Sequence, residues 1–141
     1  MKILRILIIL LFIGLSPVYS QKGYEKYSHF LDKEKTKEVI VLSKLKKDRS
    51  GTSALYVKFK NKSKVPVNID ISFGYMLLGA MEEEADLSDC LKKSCFDNWF
   101  RRSHVFYSET LTEKQLTSED MVIELTKIII EQTDECRETH R

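Results

Sequence analysis

The sequence is poor in the residues that build familiar catalytic and phosphate-binding sites. Its five glycines are scattered across 141 residues, which excludes a glycine-rich phosphate loop, and neither an HExxH nor a GxSxG pattern occurs. Histidine is limited to His29, His104 and His140. Nucleophilic catalysis needs a serine or cysteine beside a base that a third group orients. His140 lies in the tail and His29 in a polar lead-in, so His104, between Ser103 and Val105, is the one candidate base, with Cys95 or a carboxylate beside it. No catalytic residue, metal or cofactor is expected. The alternative is a small hydrolase or metal-dependent protein that uses His104.

An excess of either charge is also missing. The formal +2 comes entirely from Lys2 and Arg5, and from Gln21 onward basic and acidic residues balance. Nucleic acid attracts proteins through its phosphates and demands clustered Lys and Arg, so it is not expected as a partner. Lys58, Lys60, Lys62 and Lys64 alternate with other residues along one stretch. They read as a solvated face that discourages edge pairing rather than as a ligand stripe. Glu82, Glu83, Glu84, Asp86 and Asp89 lack the glycine-punctuated spacing of a calcium loop and read as a solvated acidic turn.

Long apolar runs are confined to the N-terminus. Ile6–Leu15 is apolar apart from Gly14 and follows Lys2 and Arg5; Pro17 comes next, with Val18 and Ser20 as small residues before a cut. That is the grammar of a signal peptide, residues 1–20, cleaved after Ser20. The run is about half the length of a spanning helix, so no membrane span is expected after its removal. Gln21 follows the cut and no cysteine precedes Cys90, which argues against a lipid-anchored precursor. Removing 20 residues from 141 leaves 121, a size that fits one domain. The expected organisation is a polar lead-in over 21–37, as a short helix or mobile segment, a β-rich domain over 38–136 and a tail over 137–141. The expected location is secreted or periplasmic.

Cysteine is limited to Cys90, Cys95 and Cys136, enough for one bridge in an oxidising compartment. Loop closure makes a Cys90–Cys95 bridge worth about 2 kcal/mol and a bridge from either to Cys136 about 4 kcal/mol. The long bridge also pins a terminus that would otherwise fray. Cys90–Cys136 is therefore expected, with Cys95 free or as the alternative partner. A zinc site from Cys90, Cys95, His104 and Cys136 is disfavoured, because structural zinc ligands come in close pairs.

What is present is alternation. Glu38–Leu45 is rich in β-branched residues, Leu55, Val57 and Phe59 alternate with Tyr56, Lys58 and Lys60, and the stretch from Val65 to Tyr75 alternates throughout. Pro66 sits near the start of the third strand, where a missing N–H is tolerated. Asn61-Lys62-Ser63, between the last two, is a formal glycosylation acceptor in an expected surface turn. Residues 96–108 hold Phe96, Trp99, Phe100, Val105, Phe106 and Tyr107 and read as core material on one strand broken near Arg101 and Arg102. Thr112 and Ser118 are capping residues in a polar connection with room for one helical turn. Met121–Thr133 fits a helix by spacing, but its β-branched content favours a strand.

The predicted fold is mainly β, a small antiparallel immunoglobulin-like β-sandwich, with α+β and a C-terminal helix around 118–134 as the alternative. VKFKNKSKVPVNIDISF and FYSETLTEKQL resemble the small exported immunoglobulin-like domains of bacteria, over roughly residues 38–136. The resemblance implies a sandwich and brings no functional residue with it. The function expected is an exported binding or envelope-associated module for an unknown protein or envelope component. A further reading is a subunit that pairs by an edge strand or by an intermolecular disulfide.

Overall fold

The longest alternating stretch becomes the centre of one sheet. The computed structural model describes residues 23–31, 35–93 and 103–136. In it β4 (Val67–Leu77) buries Val67, Ile69, Ile71, Phe73 and Tyr75 on one face. Pro66 stands just before the strand, where its missing donor costs no ladder bond. β4 pairs antiparallel on both sides, with β5 (Ala80–Leu91) and β7 (Met121–Gln132), giving a three-stranded sheet of order β5-β4-β7. A four-stranded antiparallel sheet of order β1-β2-β3-β6 lies opposite, built from β1 (Glu25–Phe30), β2 (Glu38–Lys47), β3 (Ser53–Asn61) and β6 (His104–Phe106).

Between the sheets sits one core, with Val39, Val41, Leu55 and Val57 from one layer meeting Ile69, Ile71, Phe73, Tyr75 and Leu87 from the other. Each such side chain contributes about 1.5–3 kcal/mol on burial. A one-turn helix, α1 (Glu113–Leu116), adds Leu116 to that core. Thr112 caps it in a reciprocal capping box with Gln115. β3 pairs with β6 and β4 with β7, so the chain crosses between the layers three times, after β3, after β5 and after β6. Among the described residues no helix is long and apolar enough to cross a membrane.

The C-terminal segment is a strand, as its β-branched composition predicted, and not the alternative helix. Two expectations need correction. Part of the polar lead-in is neither helical nor separate: Glu25–Phe30 forms β1 and pairs with β2, so the sheet starts ahead of residue 38. Tyr27 turns inward against the Phe73 ring, with centroids 6.3 Å apart, and its alternation with exposed neighbours is the strand signal that polar composition hides.

The acidic segment is not a turn. It is β5, which pairs with β4 after a two-residue hairpin loop, with a register shift between Tyr75 and Met76 that leaves Glu82 as the extra residue. Leu78 and Gly79 both have positive φ, +53° and +80°, the backbone of a type I′ turn whose twist matches the strands. Glutamate is depleted in strands, but Ala85 and Leu87 face the core while Glu84, Asp86 and Ser88 face water, and that pairing decides the outcome. Of the aromatic segment 96–108, residues 96–102 lie outside the described residues, and β6 covers His104–Phe106.

Candidate binding face

The outer face of the four-stranded sheet gathers lysines that are scattered in sequence. Strand register places Lys26, Leu42 and Lys58 in one cross-strand row, Lys44 and Tyr56 in the next, and Lys46 with Ala54 beyond them. Lys60 shares the row of Ile40 on the other side. Residues in one row point to the same side of a sheet, so these ammonium groups share a surface, opposite the buried row of Val41 and Phe59. Of the lysines over 58–64 that read as a solvated face, Lys58 and Lys60 belong to this surface, and Lys62 lies at its end, ion-paired with Glu38.

Two tyrosine rings organise the lysines. Lys44 Nζ stands 4.7 Å and Lys58 Nζ 5.5 Å from the centre of the Tyr24 ring, and Lys46 Nζ 4.3 Å from that of Tyr56. Exposed cation–π contacts of this kind are worth about 0.5–1 kcal/mol. They hold charged heads over a sheet while the stems cover apolar surface, consistent with Ile40 and Ala54 being only 5% and 1% exposed on this outer side. The arrangement is a set of positioned cations able to meet negative charge.

The other sequence-derived candidates serve the fold. Cys90 and Cys136 lie with their sulfurs 2.03 Å apart and Cα atoms 5.5 Å apart, joining β5 to the chain beyond β7 across the end of β4. Cys95 lies outside the described residues. His104 Nε2 is 3.1 Å from Asp89 Oδ2, and its ring tilts over Phe59 at 5.6 Å between centroids. Asp89 Oδ1 also accepts the Cys90 N–H at 2.7 Å. His104 and Asp89 thus bridge the two sheets above a polar groove of about 650 Å³ lined by Ser88, Ser103 and Phe106. Among the described residues no hydroxyl or thiol is hydrogen-bonded to His104. No three described His, Cys, Asp or Glu residues converge on a metal position.

The acidic run has a structural use that spacing alone did not reveal. Glu83 points inward and accepts from Ser108 Oγ, the Glu109 N–H at 3.0 Å and Thr110 Oγ1 at 2.9 Å. Partial burial raises its pKa, but these donors outweigh that and hold it below the usual carboxylate range. Asp48 is likewise drawn down to about 2, by the Ser50 hydroxyl first, with the Tyr107 hydroxyl and the Thr52 and Ser50 amides adding to it, in a turn closed by Gly51 at φ +88°. Asn61 is not in an accessible turn. It is 3% exposed, donates from Nδ2 to the Val65 carbonyl at 2.8 Å and accepts from Ser63 N and Oγ through Oδ1. The folded protein therefore presents no free amide there for a glycan.

Comparison with protein-family models, with curated proteins and with solved structures returned no match.

Proposed function

We propose that this chain is an exported module with no catalytic chemistry of its own, which binds an acidic partner through the lysine–tyrosine face of its four-stranded sheet. The observation that carries this is the gathering of Lys44, Lys46 and Lys58 around Tyr24 and Tyr56, with Lys26 in the same row as Lys58, in a chain whose charges balance after Ser20. Net neutrality gives no general attraction to anions, so an anion-binding surface must come from segregation of charge. The export part is supported by the N-terminal pattern, and the immunoglobulin-like part by the crossing in which β3 pairs with β6 and β4 with β7.

Retention of the mature chain, residues 21–141, on immobilised dextran sulfate tests the face. Wild type should bind at low ionic strength and elute as salt rises, and Lys44→Glu/Lys58→Glu should pass through. Free passage of wild type, or equal retention of the variant, sinks the reading. The intact mass of the exported product tests the first part separately, with Gln21 as the expected first residue.

A further inference from the structure

The outer face of the three-stranded sheet carries the opposite charge. Register places Glu131 in the row of Asn68, Asp70 in the next, Asp86 in the row of Ser72, and Glu84 with Glu124 on either side of Gly74. Lys127 is the lone cation in those rows among the described residues. Hydrogen bonds agree on the facing: Thr126 Oγ1 lies 2.7 Å from Glu84 Oε1, and Ser72 Oγ donates to Asp86. The two sheets of one sandwich therefore present lysines on one side and carboxylates on the other.

The two faces match in pitch as well as sign. Same-side residues on a strand repeat about every 6.6–6.8 Å, so four consecutive rows span about 20 Å. The lysines occupy four consecutive rows of β2, at Ile40, Leu42, Lys44 and Lys46. The carboxylates occupy four consecutive rows of β4, at Asn68, Asp70, Ser72 and Gly74. Stacked sheets lie about 10 Å apart, within reach of lysine and glutamate together. A chain with no net charge has no overall repulsion to overcome on meeting its own kind.

We infer that the occupant of the lysine–tyrosine face is the carboxylate face of a second copy of this chain, so that copies stack sheet on sheet. This rests on the reading of that face as a binding surface. The contact joins two different surfaces, so each added copy leaves one of each unfilled and the stack grows open-ended instead of closing as a two-fold dimer.

The decisive experiment is sedimentation of residues 21–141 from about 10 μM to about 1 mM, at low salt and at about 1 M salt, where screening falls to about 3 Å. Two charge-reversed variants accompany wild type: Lys44→Glu/Lys58→Glu, and Glu124→Lys/Glu131→Lys at exposed β7 positions. Wild type should gain mass with concentration at low salt and return to monomer at high salt, and each variant alone should associate at least about tenfold more weakly. An equimolar mixture should recover association, because each variant then meets a face of opposite sign; a misfolded variant does not give that recovery. Wild type that stays monomeric, or a mixture that stays monomeric while wild type associates, overturns the stacking. If monomeric wild type is still retained on dextran sulfate, the stacking falls and the binding face stands; if it is not retained, both fall.

Discussion

Gly74 lies buried in the middle of β4, where a side chain should not fit. A β-carbon there would stand 2.9 Å from Thr126 Cγ2, 3.3 Å from Met81 Sδ and 3.4 Å from Met76 Sδ. The methionines can yield, having flexible unbranched side chains. Thr126 cannot easily do so: it is the extra residue where the β4–β7 register shifts between Ser72 and Phe73, and its hydroxyl is held 3.2 Å from the Ser72 carbonyl and 2.7 Å from Glu84 Oε1. Gly74→Ala removes about 0.5–1 kcal/mol of glycine's entropic cost in a strand and adds about 1–3 kcal/mol of overpacking. The expected net loss is about 1–2 kcal/mol, or about 4–8 °C in Tm for a domain of this size. Thr126→Ser deletes the offending methyl and keeps the hydroxyl. In Gly74→Ala/Thr126→Ser the loss should largely disappear, giving a coupling energy of about 1–2 kcal/mol in a double-mutant cycle read by urea unfolding. A neutral or stabilising Gly74→Ala, or additive single effects, would refute this account of the bulge.

Two further predictions follow from the bridge and from His29. Closing 46 residues of separation between Cys90 and Cys136 is worth about 4 kcal/mol, so Cys90→Ser/Cys136→Ser should lower stability by roughly that amount under oxidising conditions; a loss under about 1 kcal/mol, or a peptide map that pairs Cys90 with Cys95, contradicts it. His29 turns inward in the row of Val39 and Asn61, its Nε2 has no hydrogen-bond partner among the described residues, and burial lowers its pKa below 6.5. Below pH 6.5 the unfolded chain therefore takes up a proton that the folded chain resists, and stability falls as pH drops toward the folded value. Urea midpoints at pH 7.5 and 5.5 should drop more for wild type than for His29→Gln, and equal drops would remove His29 as the cause.

Much of the sandwich can be read from local patterns. β2, β3, β4 and β7 announce themselves because their inward residues are apolar and β-branched, and the Thr112 cap follows from side-chain chemistry one turn long. β1 and β5 are harder because of what they expose: Lys26 and Ser28 on one, Glu84, Asp86 and Ser88 on the other, face water, so polar residues outnumber the few inward ones. Composition then points to lead-in and turn, and only pairing with β2 and β4 makes them strands. Asn61 misleads for the same reason, since its burial depends on carbonyls of Val65, Leu91 and Lys92 brought in by the fold.

The candidate face illustrates the boundary most directly. Alternation within a strand is local, so Lys44 with Lys46, and Lys58 with Lys60, were each bound to share a side once β2 and β3 formed. That the two pairs share the same side, with Lys26 and both tyrosines, is set by antiparallel register, and a slip of one residue would turn one pair into the core. Composition settles that the charges after Ser20 sum to zero. Their separation onto two opposite faces arises when the strands pair and the sheets stack, because side-chain direction is relative to a partner strand that no single segment contains.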